Sequence, residues 1–145
     1  MSADLGLAIR SILLADANVV AITNRIYADR MPQSGQAPCV VFSTIYGAAV
    51  DCIDGPTGFM QSTVQFECYG NTRAEASQVW GVMNLALCGY RGTVTISGSD
   101  DVVIRAVAQA SAIRHRDDRP ITGTDQYRFA NVQDLQFSYH VYEKV

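Results

Sequence analysis

Between residues 54 and 90 a turn, a strand and a helix follow one another with almost no spacer, and that joint limits what the chain can become. Asp54-Gly55-Pro56-Thr57-Gly58 reads as the turn. Behind it Ser62, Val64, Phe66 and Cys68 alternate with Gln61, Thr63, Gln65 and Glu67. A period of two puts the first set on a buried face and the second on an open one. Thr72 with Glu75 three positions later predicts a capped helix start. Ala76, Val79, Trp80, Met83 and Leu87 then recur at helical spacing, and Gly89 predicts the stop. A half-buried strand running straight into an amphipathic helix requires a sheet with the helix laid on its apolar face.

The flanking segments extend that plan. Leu5, Ala8, Ile9, Ile12 and Leu13 form one face of a first helix that breaks at Asp16-Ala17-Asn18, where Asn18 is the expected cap of a short further turn. Arg25-Ile26-Tyr27 reads as a short extended piece, and residues 31–38 as a loop set by two prolines and a glycine. Cys39 to Tyr46 is apolar on both parities and predicts a central strand. Residues 47–58 read as a long connection, either a loop or an extended arm. After the helix come a short strand from Thr93 to Ile96 and a longer one from Asp101 to Ile113. A polar connection runs from Arg114 to Gln126, and a closing strand from Tyr127 to Tyr142. Asn131 and Gln133 interrupt the apolar parity of that last strand, which predicts a bulge. The order of elements gives an α+β fold, a mostly antiparallel β-sheet with two main helices packed on one face. With 145 residues and no linker or repeat, residues 1–145 are expected to form a single domain.

Composition excludes several functions. The formal net charge of −3 is the wrong sign for a phosphate grip. The densest basic run, Arg114, Arg116 and Arg119, is broken by Asp117 and Asp118 and suits an interface or a solvated loop better. Charged residues make up 17% of the chain, a thin coat that fits a surface partly covered by other subunits. The cysteines at 39, 52, 68 and 88 form no C-x-x-C pair and have no zinc-finger spacing, so neither a metal nor a disulfide framework is expected. Cys68 shares a face with Val64 and Phe66 and reads as a small buried hydrophobe. No secretory leader pattern and no membrane-length apolar run is legible, so a reduced cytoplasmic setting is the expectation. His115 and His140 are expected on a charged loop and a strand surface, and neither is placed by sequence beside a cysteine nucleophile. The glycines lack phosphate-loop spacing and no hydrolase or metalloprotease motif is present. Trp80 is expected to pack in the core, and the tyrosines of the last strand to form cross-strand pairs.

Taken in order, these pieces resemble one family. They are the aspartate-bearing break after the first helix, Arg25-Ile26-Tyr27, and Pro38-Cys39-Val40-Val41-Phe42. Next come the Asp54-Gly55-Pro56 turn, Val64-Gln65-Phe66-Glu67-Cys68-Tyr69, Arg73-Ala74-Glu75-Ala76 with Val79, and Tyr90-Arg91-Gly92. The strand from Tyr127-Arg128 to Tyr142 closes the set. Over nearly the full chain the sequence is similar to the tail completion, or tail terminator, proteins of long-tailed bacteriophages and gene transfer agents. The resemblance implies a non-enzymatic virion protein, without cofactor or metal, at the head-proximal end of the tail after a period in the host cytoplasm. It implies a homohexameric ring that caps the tail tube protein, ends tube polymerisation and docks the head–tail connector or stopper protein. DNA would pass the lumen without specific binding, and no membrane is involved. Contacts are expected from two loops, 50–58 and 114–125, with Asp51, Asp54, Arg114, Arg116, Asp117, Asp118 and Arg119 as interface residues. Without the resemblance, the same residues also fit a small-ligand-binding or enzymatic α+β domain with a pocket between sheet and helices. They fit, too, an adaptor dimerising through a strand edge.

Overall fold

The computed structural model describes residues 5–29, 38–52, 55–95, 101–117 and 129–142. The order is α1 (Leu5–Ala15), α2 (Ala17–Ile22), β1 (Ile26–Ala28), β2 (Cys39–Cys52), β3 (Gly55–Gly70), α3 (Arg73–Leu87), β4 (Gly92–Val94), β5 (Asp101–Gln109), β6 (Arg114–Asp117) and β7 (Phe129–Tyr142). Among the described residues, seven strands form one sheet in the order β1-β2-β3-β7-β5-β4, with β6 also on β7. Only β1 and β2 run parallel; every other pairing is antiparallel. The fold is α+β, with α1 and α3 on one face of the sheet.

The alternation of β3 decides which face that is. Val64, Phe66 and Cys68 are fully buried beside Val40, Phe42, Leu135 and Phe137 from the neighbouring strands. Leu5, Ala8, Ile9, Ile12 and Leu13 of α1 and Val79, Met83 and Leu87 of α3 close over them. The Phe66 ring lies 5.8 Å from Phe42 and 6.1 Å from Phe137, tilted against both. A smaller cluster occupies the other face at one end of the sheet: Cys39, Val41, Tyr69, Ala130 and Val132, with Tyr27 against it. The two parities of β2 therefore feed two cores, which is why Cys39 to Phe42 reads as continuously apolar.

The helix ends follow local chemistry. Thr72 Oγ1 accepts from Glu75 N at 3.1 Å, and Glu75 Oε1 reaches back to Asn71 N at 3.1 Å, one residue earlier than a standard capping box. Gly89 takes φ 79°, the left-handed conformation a helix stop favours. The cap of α2 is Asp16 and not Asn18. Its carboxylate accepts from Asn18 N at 2.9 Å and Val19 N at 3.1 Å, which places Asn18 inside the first turn.

Four further expectations change. The stretch read as a connection, 47–58, is mostly sheet. Gly47, Ala48 and Ala49 pair with Ser62, Gln61 and Met60, and Gly55 to Gly58 already belong to β3. Glycine suits the tight spot at position 47, where a Cβ would sit 3.0 Å from Ser62 Oγ. The supposed polar connection begins as a strand, because Arg114 to Asp117 pair with Val132 to Phe129 through backbone groups that need no apolar side chains. β7 has no bulge at Asn131 or Gln133; its register against β3 is unbroken, and the irregularities lie in the partner edge, a shift between Ile104 and Ala106 and a break between Gln109 and Arg114. His140, expected on a strand surface, is buried.

Candidate docking surface

Among the described residues, besides the outer sides of the end strands β1 and β4, the stretch of β2 beyond Phe42 and the outer side of β6 carry no partner strand, at diagonally opposite corners of the sheet. β1 is three residues long and pairs β2 only over Val40 to Phe42. It stops because the chain turns away at Asp29, φ 70°, whose N–H makes a last bond to Phe42 O at 2.7 Å. From Ser43 to Cys52 no described strand lies on the outer side of β2. On the far side, β4 covers β5 only from Val102 to Ile104, and Gly89 N takes Val107 O at 3.0 Å. Beyond that point β6 lies on β7 with no described strand on its outer side. Exposed backbone edges of this kind are ready templates for pairing with another chain.

Of the residues singled out from sequence, Asp51, Arg114, Arg116 and Asp117 fall on those corners. Asp51 stands opposite Pro56 near the end of the β2–β3 hairpin. Arg114, Arg116 and Asp117 lie in β6, opposite Val132, Ala130 and Phe129. Asp54, Asp118 and Arg119 lie outside the described residues. The structure does not bring the acidic and the basic group together. Measured along β3 from Pro56, level with Asp51, to Glu67, level with Arg114, the separation is about 36 Å at roughly 3.3 Å per residue.

Arg114 is held in place on the sheet. Its guanidinium contacts Asp134 Oδ1 at 3.2 Å, with more than half of the Arg114 side chain still in solvent. Such an exposed pair contributes well under about 1 kcal/mol, so it orients the side chain more than it stabilises the fold.

Behind β6 runs a polar ladder that the sequence did not announce. Trp80 Nε1 donates to Gln133 Oε1 at 2.8 Å, and Gln133 Nε2 donates to Ser111 O at 3.4 Å. Ser111 Oγ accepts from Asp134 N at 3.0 Å. Next to it Asn131 Nδ2 donates to Ser77 Oγ at 3.3 Å, and its Oδ1 lies 2.8 Å from His115 Nδ1. Asn131 and Gln133, the residues that broke the apolar parity, are thus the pins between α3 and the irregular edge. The only advance signal was polar residues on a buried parity opposite a tryptophan-bearing helix.

A cavity of about 310 Å³ lies between the start of α1 and the β1–β2 edge, lined among others by Leu7, Arg10, Asp29, Phe42, Ser62 and Tyr139. Its Ser62 hydroxyl contacts Tyr139 Oη at 3.3 Å, and among the described residues no histidine or cysteine joins the lining. Arg10 Nε is engaged with Ile26 O at 3.3 Å. Burial, with smaller contributions from Cys39 and Glu67, drives the Cys68 thiol far above its ordinary range, and burial also raises Cys88, so both thiols are weak nucleophiles. Burial first, and Arg105 second, lowers His140. Among the described residues no three His, Cys, Asp or Glu side chains converge as a metal set, and no helix is long and apolar enough to cross a membrane.

The family model described as tail completion protein gp17 matches residues 7–130. A chain in the virion of a native gene transfer agent particle has the same fold. It matches at a TM-score of 0.57 and 17% identity, over 93% of this chain and 94% of that one. No curated protein matches by sequence.

Proposed function

Because the chain belongs to the tail completion protein gp17 family, a structural and non-enzymatic component of phage and gene-transfer-agent virions, we propose that it acts as one domain over residues 1–145 to close the tail as a six-membered ring. The observation that carries this reading is the pair of stretches, on β2 and on β6, that no described strand covers at opposite corners of the sheet. A cyclic ring needs heterologous contacts, in which one side of a subunit meets a different side of its neighbour. A self-complementary patch would stop at a dimer. Among the described residues, the open stretches of β2 and β6 are unlike in sequence and lie at different ends of the sheet. In this reading the ring caps the tube protein at the head-proximal end, ends its polymerisation and gives the head connector a surface to dock on.

Asp51, Asp54, Arg114, Arg116, Asp117, Asp118 and Arg119 are the proposed contacts, the acidic set at the hairpin end and the mixed, mainly basic set at and beyond β6. The net charge of −3 suits a lumen through which DNA slides, since carboxylates and phosphates repel.

Electron microscopy of particles assembled without this chain tests the reading. Overlong or headless tails are expected; tails of normal length carrying heads would refute it. In Arg116→Glu the folded monomer is expected to persist by circular dichroism while head–tail joining drops. Normal joining would remove Arg116 from the contacts.

A further inference from the structure

Two neighbouring strands end an apolar parity with a hydroxyl at the same level of the sheet. On β3, Ser62 follows Cys68, Phe66 and Val64 outward along the face that α1 and α3 cover. On β7, Tyr139 follows Leu135 and Phe137. Ser62 pairs with Phe137 and Met60 with Tyr139, which brings the two side chains together. Both stay buried, Ser62 at 4% and Tyr139 at 8% exposure, with their oxygens 3.3 Å apart. Across the β2–β3 pair stands Gly47, where a Cβ would come within 3.0 Å of Ser62 Oγ. Glycine at that position leaves the hydroxyl uncrowded.

Two hydroxyls carry two donor protons, and the contact between them uses one. Among the described residues, neither oxygen has another partner. A buried donor without an acceptor is costly, and native structures supply one from the chain or from ordered water. Both side chains line the cavity at the start of α1, whose volume is about 310 Å³. We infer that this cavity is a water site, in which ordered water accepts the second hydroxyl proton and donates to the lone pairs that remain on Ser62 Oγ and Tyr139 Oη. Buried water requires room and polar partners. Each molecule needs roughly 10–15 Å³ of such space, so the cavity holds several. Ser43, Thr44, Arg10 and Asp29 add polar groups to the two hydroxyls. Arg10 and Asp29 bring opposite charges to one cavity, which suits a neutral dipole better than an ion of either sign. An apolar occupant would leave the second proton without an acceptor. Leu7, Arg10, Asp29 and Thr44 are exposed, so solvent enters past them while the floor stays enclosed.

A crystal structure of the chain, at a resolution that shows ordered solvent, tests the site. Water is expected within hydrogen-bond distance of Ser62 Oγ or Tyr139 Oη. A cavity floor without it, or a Ser62 hydroxyl turned onto a backbone carbonyl, overturns the inference. Tyr139→Phe gives a second measurement in solution, since it keeps the ring and deletes one hydroxyl. With water at the floor Ser62 keeps a partner, because a water-mediated bond is nearly as good as a direct one. The midpoint of thermal unfolding should then fall by less than about 4 °C. On a dry floor Ser62 is stranded, and the fall should reach about 4–8 °C, as for other buried groups left without a partner. A fall of that size overturns the inference as well.

Discussion

Consider Trp80→Phe. The indole N–H is the donor to Gln133 Oε1 at 2.8 Å, and Gln133 is 1% exposed, so no solvent reaches in to replace it. Phenylalanine keeps most of the apolar body and deletes only the donor and part of the ring. A buried acceptor left without its donor costs about 1–3 kcal/mol. At the middle of that range, and at roughly 2–4 °C per kcal/mol for a chain of this size, the midpoint of thermal unfolding should fall by about 4–8 °C. The acceptor can be removed as well. In a Gln133→Leu background the same Trp80→Phe change should cost far less, because nothing polar is stranded. The cycle should give a coupling of about 1–2 kcal/mol, within the range for contacting residues. Urea unfolding followed by circular dichroism is the assay, since Trp80 is the only tryptophan and fluorescence would disappear with it. Equal costs in both backgrounds would refute the argument: the ladder would then be a set of adjacent polar groups without mutual dependence.

Two other perturbations follow from the geometry. A Cβ on Gly70 would sit 2.3 Å from Ala76 N and 2.8 Å from Glu75 C, backbone atoms of the first turn of α3 that cannot swing aside. Gly70→Ala should therefore lose about 3 kcal/mol, the upper end of overpacking costs, and a urea midpoint equal to that of the parent would disprove the close approach. For His140 the folded state holds its pKa below the ordinary value of about 6.5. Above that value both states are neutral. As pH falls below it the unfolded chain takes up a proton that the folded chain refuses, so stability declines, levelling off once pH passes the folded value. His140→Gln should flatten this part of the stability–pH curve in paired urea titrations; an unchanged slope would locate the proton uptake elsewhere.

Much of this architecture was legible in residue order. The β3 alternation, the α3 face, the Thr72 cap and the Gly89 stop each rest on local rules of period and hydrogen bonding, and each stands where the pattern put it. Elements whose reason is non-local were harder to read. β6 is four polar residues that become a strand only because β7 offers backbone partners at the right distance. Gly47 to Ala49 look like slack chain until their pairing with Ser62, Gln61 and Met60 of β3 is seen. Asn131 and Gln133 mimic a bulge because their partners, Ser77, Trp80 and Ser111, lie in other elements. The charged set proposed for contacts was legible as composition. Its division between two ends of the sheet was not, since separation along β3 depends on register.

The second apolar cluster has a mechanical consequence. Where Cys39, Val41, Tyr69, Ala130 and Val132 back the same strands that carry Val40, Phe42 and Cys68, the sheet is bonded on both sides, like a laminated panel. Bending it there must open one layer or compress the other. Toward Ser62 and Tyr139, among the described residues, only one face carries such a layer, and the same load meets less resistance. A subunit of this build has a rigid root and a more compliant margin, and β6, paired over Val132 to Phe129, is fixed to the root.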